Sequence, residues 1–199
     1  MASKDRILRL KDETRTKILD AALAIAREDG WQALSMRKIA DKIEYTAPII
    51  YEYFSNKEAI LQELTRTGFV KLAVQMKAAA DKYTDPSVQL EAMWLSYWNF
   101  AFAEKELYQV MYGVEMSCCS IQSPCEAIRT PAEMLQAKIS ELVPEEKRNK
   151  EYIDRRYYTF WSVVHGLISI NLTKQITSEE INRQVLKDAI WGIISAIKG

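Results

Sequence analysis

The chain has 199 residues, of which 48% are hydrophobic and 10% aromatic, so it can bury a core and is not expected to be disordered. Lysine plus arginine (27) equals aspartate plus glutamate (27), which excludes a protein that attracts polyanions through its total charge; any such surface must be local. With six glycines and five prolines, the chain is expected to be all-α, with long helices joined by short turns.

The sequence also bears on the compartment of the protein. It contains no uncharged apolar run of about 18 residues, and the N-terminal stretch "MASKDRILRLKDE" alternates charge where a signal peptide would be apolar. Cys118, Cys119 and Cys125 are odd in number and clustered, which suits a reducing compartment better than a disulfide framework. We therefore expect a soluble, cytoplasmic protein without membrane contact.

Two helices are predicted in the first 43 residues. Apolar residues recur at three- and four-residue spacing from Thr14 to Asp29, which predicts a helix with one buried stripe. Gly30 follows, where a left-handed cap would end that helix. Ser35 then precedes "MRKIADKI", and its hydroxyl is expected to cap this short helix.

A second short helix is predicted after a turn at residues 44–47. It begins near Pro48, with either Thr46 or Ala47 as its cap, and ends around Phe54. Three helices with a short turn between the last two have the spacing of a helix-turn-helix. The same spacing also fits an ordinary helical cap on a larger domain.

The remaining helices are marked by capping residues and prolines, around an irregular stretch at residues 114–130. A Ser-x-x-Glu capping box at Ser55 is expected to open a long helix, and similar boxes begin at Thr130 and Thr177. About nine helices are predicted in all, the later ones covering residues 55–82, 85–104, 105–113, 130–142, 150–174 and 177–198.

The segments "TKILDAALAIAREDGWQALSMRKIADKI" and "IIYEYFSNKEAIL" resemble the DNA-binding domain of the tetracycline-repressor (TetR) family. The matching residues, in the order and spacing of the family, are Ala21, Ala22, Gly30, Ser35, Ile39, Ala40, Tyr51, Phe54, Lys57 and Glu58. "FWSVVHG", residues 160–166, also resembles the Trp-x-x-x-His-Gly signature of one C-terminal subtype. The resemblance implies a helix-turn-helix domain at 1–56 and a ligand-binding and dimerisation bundle at 57–199.

The same resemblance implies which residues meet DNA. In a helix-turn-helix the N-terminal side chains of the second helix meet base edges, so Ala47, Pro48 and Ile49 are candidates for apolar contact, with Thr46 as the polar exception. Arg37 is the candidate for a bidentate guanine contact. The other predicted DNA-binding residues are Ser35, Tyr51, Tyr53 and Lys57.

Several of these residues also have structural interpretations. Tyr51 and Tyr53 can donate to phosphates or pack in a surface groove, whereas Phe54 is expected to pack in the core. Lys57, in the first turn of its helix, is expected to bind a phosphate together with the helix N-terminus. Upstream, six basic residues outnumber three acidic ones, so this segment is either an arm along DNA or a solvated tail: Lys4, Arg6, Arg9, Lys11, Arg15 and Lys17.

The larger C-terminal part is expected to hold a small organic effector and to form a homodimer on a palindromic double-stranded DNA operator. The apolar stripe of the last helix, from Ile181 to Ile197, fits an isologous interface. Aromatic residues at helical spacing fit either a pocket or an ordinary core, and His165 fits either a ligand contact or a buried contact. The predicted pocket residues are Trp94, Tyr97, Trp98, Tyr108, Met111, Tyr112, Trp161 and His165.

Enzymatic chemistry has little support in the sequence. His165 is the only histidine, and the chain has no nucleophile-base motif or glycine-rich phosphate loop, so we expect no catalytic residue and no cofactor. Two of the three cysteines could form a redox pair. As metal ligands the three thiols would lack a fourth partner, because no histidine is nearby, so we expect no metal site. We predict a repressor released by its effector; the alternative is a helical small-molecule enzyme or an interaction module.

Overall fold

The computed structural model describes residues 2–113, 126–173 and 178–199. These residues form nine α-helices and no strand, which confirms the all-α prediction. The helices are α1 (Ala2–Asp29), α2 (Met36–Lys42), α3 (Ala47–Tyr53), α4 (Lys57–Ala80), α5 (Pro86–Ala103), α6 (Lys105–Tyr112), α7 (Glu126–Leu142), α8 (Lys150–Thr173) and α9 (Glu179–Lys198). Two short 3₁₀ helices lie at Trp31–Ala33 and Glu145–Lys147.

Side-chain caps begin several helices where the sequence predicts them. The Ser35 hydroxyl accepts a hydrogen bond from the backbone of Lys38 at the start of α2, over 3.2 Å. The Asp85 carboxylate accepts from the backbone amides of Val88 and Ser87 before α5, and these bonds hold its pKa below the ordinary value. Ser178, one residue after the predicted Thr177, caps α9 by accepting from the backbone of Ile181. Each cap satisfies a backbone donor that the helix leaves unpaired.

The start of α4 differs from the prediction in its cap. The side chain of Asn56, and not that of Ser55, accepts from the backbone of Ala59 over 2.8 Å. Lys57 is therefore the first helical residue. Because both serine and asparagine cap helices well, the sequence alone does not choose between adjacent positions.

Two other helices begin earlier than the sequence predicts. α1 starts at Ala2 instead of Thr14, and its residues 5–13 are all exposed, so no buried apolar stripe marks this part of the helix. α7 starts at Glu126, which places Pro131 inside the helix; the Thr130 hydroxyl bonds back to the Glu126 carbonyl instead of capping.

Contacts divide the described residues into two compact units, and the first comprises residues 2–67 and 106–113. Here α1 packs on α2, and α2 packs on α3. Gly30 ends α1 with a φ of 82°, a left-handed conformation that glycine adopts without steric cost. The fully buried core side chains of this unit include Ile18, Ala22, Ile39, Ile50 and Ile60.

The second unit comprises residues 68–105, 126–173 and 178–199. In it α8 packs against α9 and α7, while α5 contacts α7, α8 and α9. Its centre is aromatic: the rings of Trp94 and Phe160 stack with centroids 5.4 Å apart, and both side chains are fully buried. Apolar residues of α9, Leu186, Ile190 and Ile194, complete this core. The division into units falls within α4, and the domain boundary at 56/57 stays a prediction.

Candidate DNA-binding surface

The two short helices α2 and α3 are joined by a tight turn. Glu44 lies in this turn with a φ of 59°, the left-handed region that non-glycine residues rarely adopt. Thr46 is the N-cap residue of α3, but its side chain makes no capping hydrogen bond. The Thr46 hydroxyl is exposed and is not committed to the cap of the helix.

The side chains of α3 divide into one buried anchor and an outward face. Ile50 is fully buried in the core of the first unit, and Phe54 at the end of the helix is 3% exposed. On the other face Tyr51 is 54% exposed, and Pro48 is exposed as well. The remaining predicted contact residues of this helix are half-buried: Ala47, Ile49 and Tyr53. The structure thus brings the predicted α3 residues together at the surface and confirms that Phe54 packs in the core.

Electrostatic pairing distinguishes the three basic side chains of α2. The Lys38 ammonium lies 3.1 Å from the Asp29 carboxylate, and the Lys42 ammonium lies 2.7 Å from that of Glu28. Arg37 is exposed and makes no side-chain hydrogen bond or ion pair among the described residues. Its guanidinium therefore has all five donors available for an external acceptor.

Lys57 has a partner inside the protein that the sequence did not indicate. Its ammonium donates to the Trp31 carbonyl over 3.1 Å, and so ties the start of α4 to the 3₁₀ helix after α1. An ammonium carries three donors, so this bond leaves capacity for a second acceptor. Its contact with phosphate stays a prediction.

Arg15, one of the basic residues predicted to form a DNA arm or a solvated tail, connects three elements of the first unit. Its guanidinium lies 4.4 Å from the Phe54 ring centroid, 3.4 Å from the Glu63 carboxylate and 3.5 Å from the Tyr53 carbonyl. Glu63 also bonds to Arg66, and this bond is the main cause of its lowered pKa, with the Arg15 charge contributing less. The three contacts of Arg15 join residues 38 or more positions apart, so local spacing gives no signal for them.

The N-terminal basic segment is the beginning of α1. It is helical from Ala2, and the described side chains at residues 5–13 are all exposed. Among them are three large apolar residues, Ile7, Leu8 and Leu10. Both predicted roles of this segment, an arm along DNA and a solvated tail, stay predictions.

The predicted pocket residues are divided between the two units. Trp94, Tyr97, Trp98, Trp161 and His165 lie in the second unit, where Trp94 and Tyr97 are buried. The Trp161 indole donates to the Tyr97 hydroxyl over 3.2 Å and stacks on the His165 ring at 4.7 Å. Burial lowers the pKa of His165.

The other three predicted pocket residues, Tyr108, Met111 and Tyr112, belong to α6 in the first unit. Tyr108 is buried, and its ring centroid lies 4.9 Å from that of Tyr112. Their role in binding an effector stays a prediction.

Two further sequence predictions concern thiols and membranes. Cys118, Cys119 and Cys125 lie outside the described residues. In the part of the chain that is described, no helix is both long and apolar enough to cross a bilayer, and no cluster of three or more potential metal-ligating side chains occurs.

The second half of α1 is packed in the core, α2 is capped, a tight turn follows, and α3 has Thr46 and Pro48 exposed at its N-terminus; together these features define a helix-turn-helix DNA-binding protein. Residues 18–64 match the profile of the bacterial regulatory proteins of the tetR family, and residues 90–189 match that of the tetracyclin repressor-like C-terminal domain. The chain therefore belongs to the TetR family, as the sequence resemblance implied. Its members are transcriptional regulators and not enzymes; the Trp-x-x-x-His-Gly subtype stays a prediction.

Individual proteins show the same likeness. The transcriptional repressor KstR of Mycobacterium tuberculosis is 31% identical over 81 residues, 41% of this chain and 37% of KstR. The transcriptional activator FasR of Mycolicibacterium smegmatis is 24% identical over 102 residues, 51% of this chain and 47% of FasR. The chain thus matches less than half the length of these relatives. A protein of unknown function from Rhodococcus sp. RHA1 has the same fold, with a TM-score of 0.77 and 19% identity over 93% of this chain and 95% of its own.

Proposed function

We propose that this regulator is a homodimeric repressor that binds a palindromic double-stranded DNA operator and is released by a small organic effector. The observation that carries the proposal is the surface of α3. Thr46, Pro48 and Tyr51 are exposed on this surface, while Ile50 anchors the helix in the core. A rigid helix presented in this way can enter a major groove, where base edges distinguish all four base pairs.

The available charge on this surface supports sequence-specific contact. Of the basic residues on α2, Lys38 and Lys42 are paired with α1, while Arg37 has no ionic partner in the described chain. An unpaired guanidinium on α2, together with the apolar residues Ala47, Pro48 and Ile49 of α3, favours a single guanine contact combined with contacts to thymine methyl groups. Tyr51, Tyr53 and Lys57 would then position the helix through phosphates.

Helices α8 and α9 pack against each other. The faces that they turn away from the core support homodimerisation. Ile181 on α9 is 52% exposed, and Val163 and Ile170 on α8 are exposed as well. A Cβ atom added at Gly166 of α8 or at Gly192 of α9 would meet nothing within 4 Å. These faces therefore offer apolar side chains and room for close approach by the same faces of a second copy.

Repression and effector release rest on the family and on the division of the chain. The relatives include both a repressor and an activator, and the repressor KstR is the more similar over its matched segment. The proposed DNA-binding domain is residues 1–56, and the proposed ligand-binding and dimerisation domain is residues 57–199. An effector would release DNA only by binding more tightly to the state that does not fit the operator.

The test is selection of bound duplexes from a random pool at two salt concentrations, followed by light scattering of the protein with the selected duplex. We expect a palindrome whose half-sites lie about one helical turn apart. We also expect the complex to contain two protein chains on each palindromic duplex. Enrichment of no motif, with binding lost at modest salt, would contradict operator recognition and favour an interaction module.

A further inference from the structure

A cavity of about 480 Å³ lies in the second unit between α5 and the facing ends of α8 and α9. Its volume is within the range of about 300–1,000 Å³ that is typical of small-molecule sites. Trp98 is the only one of its lining residues that belongs to the predicted effector set. The exposed Ile181 and Val185 do not line it, so the cavity is separate from the proposed dimer face.

One wall of the cavity is aromatic. The rings of Trp98 and Phe102, one turn apart on α5, have centroids 4.7 Å apart and planes inclined at 49°. Aromatic faces of this kind attract flat apolar groups by offset or edge-on stacking. A planar ring system is therefore the apolar part of the ligand that this wall would accept.

A fixed pair of amides forms another wall. Asn171 of α8 and Asn182 of α9 exchange two side-chain hydrogen bonds of 3.1 and 2.8 Å, and Asn171 also donates to the Leu167 carbonyl over 2.9 Å. Asn182 is only 6% exposed. Because these amides satisfy each other, they give the cavity a rigid polar surface without holding a net charge.

The charges at the cavity are unequal. Its carboxylate, Glu179, already accepts a hydrogen bond from Arg183 over 3.0 Å. Its ammonium, Lys105, is exposed and makes no hydrogen bond or ion pair with any described residue. The uncompensated charge is therefore positive, and it favours an anionic group on the ligand.

From the aromatic wall, the amide pair and the unpaired ammonium, we propose that this cavity binds a planar aromatic carboxylate. The ring system lies against Trp98 and Phe102, and the carboxylate accepts from the ammonium of Lys105. The inference concerns binding by the protein alone and does not depend on operator recognition.

The test uses 1-naphthoate as the probe and isothermal titration calorimetry of the full chain without DNA. We expect binding in the micromolar to millimolar range, and binding weaker by about tenfold or more for the neutral 1-naphthamide, which lacks the charge-assisted bond. Failure of the wild-type chain to bind 1-naphthoate at concentrations of about 1 mM or above would overturn the proposal.

Variants locate the site. Lys105→Gln should weaken 1-naphthoate binding by about tenfold or more, while Lys105→Arg, which keeps the charge, should stay within about threefold of wild type. Lys150→Gln is the matched control because Lys150 begins α8, at the opposite end from Asn171, and is exposed. It should leave the affinity unchanged. Equal affinity in Lys105→Gln and wild type would show that the probe binds elsewhere and would overturn the proposal.

Discussion

The guanidinium of Arg15 lies over the ring of Phe54, with its central carbon 4.4 Å from the ring centroid. The same side chain reaches the Glu63 carboxylate on α4 and the Tyr53 carbonyl at the end of α3. A residue near the middle of α1 thus holds the C-terminal end of the proposed recognition helix and the beginning of α4. Its positive charge also suits the negative end of the α3 dipole.

Arg15→Ala should lower the free energy of unfolding by about 1 kcal/mol, from the lost cation–π contact and a partly exposed ion pair. Urea denaturation measures the change. Arg9→Ala is the control, since Arg9 is exposed on the same helix, and it should stay within about 0.5 kcal/mol of wild type. Equal effects of the two substitutions would show that the contacts of Arg15 do not stabilise the fold.

Glu44 offers a test of strain in the turn between α2 and α3. Because its φ is 59°, replacing it with glycine should raise the free energy of unfolding by about 0.5–1 kcal/mol. Glu52→Gly, at an exposed position within α3, should lower it by about 1 kcal/mol. Thermal denaturation of both variants compares the signs; a loss of stability in Glu44→Gly would show that the Glu44 side chain outweighs the strain.

Lys57→Ala separates an internal role from a phosphate contact. Loss of the bond to the Trp31 carbonyl should lower the free energy of unfolding by about 1 kcal/mol. If Lys57 also binds phosphate, the slope of log affinity against log salt on the selected operator should fall by about 1. Tyr53→Phe should weaken operator binding without altering the salt slope. An unchanged slope in Lys57→Ala, with only stability reduced, would leave Lys57 as an anchor of α4 alone.

His165 predicts a pH dependence of stability. Burial holds its pKa below the ordinary 6.5, so the unfolded chain takes up a proton at a higher pH than the folded chain does. The contribution of His165 is therefore fully present above pH 6.5 and is lost as pH falls through that value toward the native pKa. The His165→Gln variant should lack this part of the acid destabilisation. Urea denaturation between about pH 8 and 5 compares the two, and parallel curves would contradict the prediction.

The helices were predictable from local signals to the extent that caps and buried stripes mark them. Ser35, Asp85 and Ser178 lie at or next to predicted starts, and each accepts a backbone hydrogen bond. The N-terminal part of α1 was missed because the described side chains at residues 5–13 are all exposed, so no periodicity distinguishes them from a charged tail.

The candidate site was predictable in its positions but not in its contacts. The sequence was enough to place a short helix beginning near Pro48 and ending around Phe54, although it left both Thr46 and Ala47 open as the cap. The contacts of Arg15 and the bond from Lys57 to the Trp31 carbonyl join residues 26 or more positions apart. Such contacts depend on how helices pack and have no periodic signature.

The most direct test of the proposed DNA surface is the random-pool selection carried out in parallel with wild-type protein and Arg37→Ala. We expect the variant to recover the same palindrome with information lost at one base position in each half-site, a discrimination worth about 1–3 kcal/mol. Lys38→Ala, whose side chain is paired with Asp29, should keep every position. An unchanged motif with Arg37→Ala would contradict direct base recognition by Arg37, and absence of a motif with wild-type protein would contradict the account as a whole.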